Sequence, residues 1–210
     1  MQRLEDGSLL AQKERVLIVD DDASSRLMLA LLLLRAGHLV VGQADNGAEG
    51  LRLAGLSLPT LMLLDIDMPS VEGLTVLRKA RRLYPGVSVL AVSGLDPAIY
   101  ALRCMRLGAH GFLKKSDFDA LLLSAISRIH RGSRLYPQQE VTPGSPWADI
   151  SDSELVTLRC LARGGDSGSI AAALGLRRSG AKALCERLQA KLEMPSIDEL
   201  VLFGRHMRLG

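Results

Sequence analysis

Between residues 15 and 131 of this 210-residue chain, five short strand-like runs alternate strictly with five longer helix-like stretches, and nothing else in the sequence restricts the fold as much. The runs fall at 16–19, 38–44, 61–64, 87–92 and 111–113, the helix-like stretches at 25–35, 48–54, 74–83, 97–107 and 117–130. Val16-Leu17-Ile18-Val19 and Leu61-Met62-Leu63-Leu64 are apolar at every position rather than at alternate ones. Such strands are buried on both faces. Alternation with helices supplies the cover, so the pattern predicts an α/β fold with a parallel five-stranded sheet between two helical layers. Gly37 and Gly108 are read as closing two helices, and Asp117 as the N-cap of the last.

The remainder has a different character. Gly132, Pro137, Pro143, Gly144 and Pro146 mark residues 132–149 as a linker. Residues 150–210 then read as helical throughout, with segments at 151–162, 169–174, 178–192 and 197–207. The expected organisation is a first domain over 14–131, the linker, and a second domain over 150–210.

Composition bounds the function. Hydrophobic residues make up 48% and charged residues 23%, so a packed core is expected. The net charge of +3 is too small, averaged over the chain, to argue for nucleic acid or membranes by itself. Three Phe, one Trp and three Tyr disfavour base-stacking surfaces and carbohydrate platforms. Cys104, Cys160 and Cys185 suggest neither a disulfide framework nor a zinc site. The longest apolar run, residues 27–34, is far below the ~20 residues that span a bilayer. Glu5 and Asp6 precede any apolar stretch, so no secretory signal is read and a soluble, cytoplasmic protein without membrane association is expected. Within 27–34, Leu27, Leu31 and Leu34 are expected to pack on the sheet, aiming Leu29, Leu32 and Leu33 elsewhere, either as scattered surface leucines or as a partner or dimer surface.

The polar residues at the strand ends carry the chemistry. Asp20, Asp21 and Asp22 follow the first run, Asp65-Ile66-Asp67-Met68-Pro69 the third, Ser93 the fourth and Lys115 the fifth. A parallel sheet brings these carboxyl ends to one rim, where ligands of such sheets bind. Carboxylates gathered there repel unless a cation is present, and oxygen ligands favour a hard divalent ion, Mg2+ above all. A carboxylate beside such an ion attacks phosphorus to give an acyl phosphate. A lysine ammonium and a hydroxyl stabilise the charge on the equatorial oxygens. Asp65, Lys115 and Ser93 form that set. Asp65-Ile66-Asp67 also fits the DxD motif of haloacid-dehalogenase-like phosphatases, but there the motif follows the first strand and its acidic partners come later, the reverse of the order here. Gly165-Asp166-Ser167-Gly168 matches the nucleophile motif of trypsin-like proteases in a helical setting without a matching histidine, and is read as coincidence. No phosphate-binding glycine loop is present.

Val-Leu-Ile-Val-Asp20-Asp21, Leu-Leu-Asp65-Ile-Asp67-Met68-Pro69, Val-Ser93 and Gly-Phe112-Leu-Lys-Lys115 together resemble the receiver domain of two-component response regulators, over about residues 14–131. The resemblance implies a flavodoxin-like fold with Asp65 as phospho-acceptor. It implies that Asp20, Asp21, Asp65 and the Asp67 backbone carbonyl hold Mg2+, or Mn2+ in its place. Ser93 and Lys115 would bind the phosphoryl group, with Phe112 at the position of a switching aromatic. Ser116 stands where many receivers have proline. A sensor histidine kinase as partner, slow hydrolysis of the acyl phosphate rather than enzymatic turnover, and a homodimer at least when phosphorylated are further implications.

Residues 169–192 have helix–turn–helix spacing, and Arg177, Arg178, Lys182, Arg187 and Lys191 supply the positive charge that phosphate attraction needs. Glu154, Leu158, Leu161, Gly164, Ile170, Ala171, Leu174, Lys191 and Leu192 resemble the LuxR-type domain that follows receivers in the NarL/FixJ subfamily. The resemblance implies DNA binding and transcription control through those five basic residues. Ser167-Gly168-Ser169, Gly180-Ala181 and Leu184 depart from the pattern. They motivate a second reading, a phosphorylation-switched adaptor whose C-terminal domain binds protein rather than specific DNA.

Overall fold

Strands buried on both faces need neighbours on both edges, and the connections of the first domain are long enough to supply them in parallel. In the computed structural model, which describes residues 13–68, 72–136, 150–207 and 209, five strands form one parallel sheet in the order β2-β1-β3-β4-β5. They are β1 (Arg15–Val19), β2 (Leu39–Ala44), β3 (Leu61–Asp65), β4 (Ser88–Ser93) and β5 (Gly111–Lys114). The intervening helices are α1 (Ala23–Arg35), α2 (Gly47–Ser57), α3 (Glu72–Leu83), α4 (Pro97–Arg106) and α5 (Phe118–His130). The predicted alternation is present in full. The parallel register sets Val19 beside Leu64, Asp65 beside Val92, and Ser93 beside Lys114, so the ends of four strands share one rim.

Caps account for most boundary differences. Asp22 accepts a hydrogen bond from the Ser24 amide at 2.8 Å and starts α1 two residues before the sequence reading. Asn46 caps α2 through the Glu49 amide at 2.9 Å. Asp117 is not a side-chain cap: it closes a 3-10 turn over Lys115–Asp117, with φ −106° and ψ 8°, and α5 follows without a capping bond from it.

The phase of α1 is the reverse of the expectation. Leu29 and Leu33 are fully buried, whereas Leu27, Leu31 and Leu34 are 61%, 47% and 55% exposed. A helix apolar at every position from 27 to 34 carries no amphipathic signal there, so something else must fix its rotation. Ser25 does so: its hydroxyl donates to the buried Asp20 carboxylate at 2.7 Å, and Leu29 and Leu33 lie one and two turns on, along the same ridge. They join Val16, Ile18, Leu61, Leu63, Leu122 and Ile126 in the core between α1, α5 and the sheet. Leu29→Ala is expected to destabilise the protein by about 2–5 kcal/mol in urea unfolding, and Leu31→Ala by about 0.5 kcal/mol or less. The opposite ranking would restore the original phase.

A second anchor lies at the amino ends of the strands. The buried Glu14 carboxylate accepts from the Thr60 hydroxyl and pairs with His130 Nδ1, and the Glu14 amide donates to His38 Nδ1 at 3.2 Å. Burial is the main reason the His38 imidazole sits below its usual pKa.

The chain divides into two compact units. Among the described residues from 150 onward the second holds the helices α6 (Asp152–Ala162), α7 (Ser167–Leu174), α8 (Arg178–Lys191) and α9 (Ile197–His206). Ile150, Leu158, Leu161, Ile170, Ala171, Leu188 and Leu200 are among its buried residues. Residues 137–149 of the expected linker lie outside the described residues; residues 132–136 are described and run back along β5.

Candidate functional site

Asp20 and Asp65 are apolar-sheet residues by position and charged by chemistry. Asp20 follows the buried run Val16–Val19 and Asp65 ends the fully buried β3, and both are almost inaccessible, at 0% and 1% exposure. Such carboxylates require partners. Lys115, at the end of β5, supplies them: its Nζ lies 2.7 Å from Asp65 Oδ2 and 2.8 Å from Asp20 Oδ2. The remaining oxygens are met by backbone. Asp67 N–H donates to Asp65 Oδ1 at 2.7 Å, and Asp22 N–H donates to Asp20 Oδ1 at 2.9 Å. Asp22 itself is spent on the helix cap, so of the three consecutive aspartates only Asp20 and Asp21 belong to the site.

Asp20, Asp21 and Asp65 each offer an oxygen, all within 4.8 Å of one another, with Asp21 exposed at the rim. Three carboxylates face one ammonium, and the imbalance shows in Asp65. Burial pushes its carboxyl up to about 6, against the downward pull of Lys115 and of the Asp67 amide, with Asp20 adding to the rise. Burial also works against the Lys115 charge, but the two carboxylates outweigh it and raise the ammonium's pKa. A cluster of hard oxygen ligands with surplus negative charge fits a divalent cation.

Ser93, fully buried, ends β4 beside this group. Phe112, two residues before the end of β5, is also buried and pairs in register with Ala91. The four strand ends named from the sequence are therefore brought together. Two groups went unnamed. Ser25 holds Asp20, and Arg26 Nη1 donates to the Asp20 and Asp21 carbonyls at 2.7 and 3.1 Å, pinning the acidic loop from the first turn of α1. Their position five and six residues after Asp20 was the available signal. On the other side, a Cβ on Gly73 would stand 2.5 Å from Ile66 Cα and 2.7 Å from the Asp65 carbonyl, so only glycine lets α3 come this close to the backbone after Asp65.

The helical unit shows how its sequence departures are accommodated. Asp166 and Ser169 form a reciprocal cap at the start of α7, with the Ser169 amide 2.9 Å from Asp166 Oδ1, so Ser169 takes the role of a glutamate at that position. Gly175 turns the chain between α7 and α8. Ala181 and Leu184 are buried, at 0% and 3% exposure; they pack in the core and face away from solvent. The exposed residues of α8 are Arg178, Ser179, Lys182, Ala183, Glu186, Arg187, Ala190 and Lys191. Of the six departing residues, Ala181 and Leu184 are therefore packing residues, while Ser167, Gly168 and Gly180 are partly exposed and Ser169 is exposed.

The five basic candidates separate. Lys182 and Arg187 are exposed on α8, and Arg177 is the exposed residue preceding α8. Arg178 lies over Gly168, with Nη2 3.0 Å from where a Cβ would stand. Lys191 binds Glu154 Oε2 at 2.8 Å. Glu154 also closes the capping box of α6 with Ser151. Burial pushes the Glu154 carboxyl up, but Lys191 and Ser151 outweigh it and hold it below its usual range. Lys191 is a tie between α8 and α6.

No helix among the described residues is long and apolar enough to cross a membrane. Residues 16–127 match the response regulator receiver domain model. The chain is 30% identical to BvgA of Bordetella pertussis over 206 residues, 93% of this chain and 99% of that protein. It is 25% identical over 202 residues to EvgA of Escherichia coli K12, a DNA-binding transcriptional activator, covering 92% and 98% of the two chains. RcsB from Salmonella enterica serovar Typhimurium, solved bound to promoter rprA, superposes with a TM-score of 0.76 over 92% of this chain and 99% of that one, at 20% identity. An acidic cup at the carboxyl rim of a 2-1-3-4-5 sheet, a family match across more than half the residues and full-length relatives agree: the chain belongs to the response regulator receiver domain family.

Proposed function

We propose that the protein is a transcription-controlling response regulator that accepts a phosphoryl group on Asp65 from a sensor histidine kinase and binds DNA through its helical unit, with residues 14–131, 132–149 and 150–210 as receiver, linker and LuxR-type helix–turn–helix domain. The observation that carries the reading is the bond of one lysine to two buried carboxylates at the carboxyl rim, Lys115 to Asp65 and Asp20.

The chemistry follows from the partners of each oxygen. Asp65 is the nucleophile: one of its oxygens attacks phosphorus, the phosphorus–nitrogen bond of the donor phosphohistidine breaks, and the imidazole nitrogen leaves with the bond's electrons. With its pKa near 6, Asp65 is largely ionised at neutral pH and nucleophilic. The Asp67 amide holds Oδ1 and orients the carboxylate. Lys115 moves from the carboxylate oxygen to a phosphoryl oxygen, and the Ser93 hydroxyl donates to another. Mg2+, or Mn2+, held by Asp20, Asp21, Asp65 and the Asp67 carbonyl, would supply the positive charge that lets a phosphoryl group approach three carboxylates. Phe112 adjusts with Ser93 and so carries the change along β5. The acyl phosphate is slowly hydrolysed at the same site, and no metabolite is turned over. The products of this switch are altered dimerisation and altered DNA affinity in the cytoplasm, with Arg177, Arg178, Lys182 and Arg187 near the phosphates and Lys191 acting through Glu154.

Treatment with acetyl phosphate and Mg2+ is expected to add one phosphoryl group, mapping to the peptide that contains Asp65, with uptake falling at least about tenfold when EDTA replaces Mg2+. Phosphate mapped to another residue, or uptake indifferent to the cation, would overturn the reading.

A further inference from the structure

Beyond α5 the chain does not leave the sheet at once. The Gly132 and Ser133 amides donate to the Ile129 and Arg128 carbonyls and turn the backbone round, and Leu135 comes to lie parallel to Gly111. Leu135 N–H donates to the His110 carbonyl at 3.0 Å, and Phe112 N–H donates to the Leu135 carbonyl at 2.8 Å. The Tyr136 hydroxyl donates to the Ala109 carbonyl. Burial, above all, pushes that phenol up to about 12, so it stays a donor at every physiological pH. The Leu135 side chain packs on the core cluster that includes Leu113, Phe118, Leu122 and Ile126.

This is a sixth strand reduced to a single bridge. It covers β5, which the strand order leaves as an edge. Its approach depends on one residue: a Cβ on Gly111 would stand 2.9 Å from the Leu135 carbonyl oxygen and 3.1 Å from Leu90 Cδ1. Its hydrogen bonds to the sheet side fall on residues 109–112. The other end of the same four-residue strand leads into Lys115, which binds Asp65 and Asp20. Phe112 is therefore bonded on one side to the strap, while the strand it belongs to ends at the acidic cup. An element held by two backbone hydrogen bonds, one phenol hydroxyl and one apolar side chain belongs to the low-stability end of a fold, where local opening occurs.

We propose that residues 134–136 are a detachable sixth strand, seated on β5 while Asp65 is unmodified and loosened when Asp65 is phosphorylated, so that the acceptor's state sets how much of the interdomain connection is free. The inference rests on Asp65 being the acceptor. When Lys115 shifts toward a phosphoryl oxygen, the displacement passes into β5, and the strand's amides and carbonyls move out of register with Leu135. By reciprocity, a chain whose strap is already loose accepts the phosphorylated conformation more readily.

Hydrogen exchange on the full chain, with and without acetyl phosphate and Mg2+, reads the strap directly. The Phe112 and Leu135 amides are expected to exchange about tenfold faster in the phosphorylated chain, while amides in β1 and β3 keep their rates. Leu135→Pro removes the donor to His110; its Phe112 amide should exchange fast without phosphorylation and gain nothing further from it, with phosphoryl uptake retained. Leu135→Ala keeps the amide and loses only the apolar anchor, and should move the same way if proline perturbs α5. Unchanged or slower exchange at the two amides in a chain whose mass shows phosphorylation overturns the strap and leaves the acceptor standing. No mass gain at all overturns the acceptor reading, and the strap's coupling falls with it.

Discussion

Asp65→Asn is expected to lower phosphoryl uptake from acetyl phosphate by at least about 100-fold in the fraction of chain that gains mass. The amide keeps the shape of the carboxylate but not its nucleophilicity. The neighbouring Asp20 accepts from Ser25, Lys115 and the Asp22 amide, and its place in the variant is unchanged. Loss of uptake would ordinarily raise the suspicion of an unfolded variant. Here the electrostatics point the other way. Burial raises Asp65 to about 6, so the folded state binds this proton more tightly than the unfolded chain does. The carboxyl's contribution to stability is therefore highest in acid and is lost as pH rises from its ordinary value through about 6. At neutral pH, without divalent cation, the ionised group is a burden, and the neutral amide relieves it. Asp65→Asn should melt a few degrees higher than the parent at pH 7 in EDTA, and the difference should shrink as pH falls toward 4. A variant that melts lower at pH 7 would mean that the Lys115 contact outweighs the burial, contrary to this account.

The second large effect concerns DNA. Lys182→Glu with Arg187→Glu reverses two exposed charges of α8 and should eliminate retardation of duplex DNA at moderate salt, a loss of about 100-fold or more. Single neutralisations, Lys182→Ala or Arg187→Ala, should each lower the slope of log affinity against log salt by about one. Lys191→Ala belongs to another class. Its ammonium is bound to Glu154, so its loss should first lower the melting temperature of the helical unit, with DNA affinity following in proportion. If Lys191→Ala instead changed the salt slope with no change in melting, Lys191 would be a phosphate contact and not a tie. Parent protein that fails to retard DNA at any salt, with or without phosphoryl donor, would return the adaptor to consideration.

The acidic cup was legible because its determinants are local. A run of apolar residues ended by a polar one announces both the strand and the rim, and four such ends, at Asp20, Asp65, Ser93 and Lys115, needed only parallel order to meet. Helix starts were legible to within two residues where a cap such as Asp22 or Ser151 stands in the sequence. The phase of α1 was not, because leucines on all sides leave rotation undetermined until Ser25 finds Asp20. Asp117 holds the N-cap position of α5 as its type suggests, but it makes no side-chain capping bond, because that bond depends on backbone geometry and not on residue type. The pairing of Glu14 with His130 joins residues 116 apart and has no periodic signature. The bridge at Leu135 involves one residue, too few for any pattern to register.

Arg26 grips the carbonyls of Asp20 and Asp21 from the first turn of α1, and α1 is in turn seated in the core by Leu29 and Leu33. Charges that repel one another are thus restrained by a helix acting as an abutment. Stiffness at the acidic rim is inherited from methyl groups packed two turns away. Substitutions on that helix are therefore expected to loosen the acidic loop without touching any of its carboxylates.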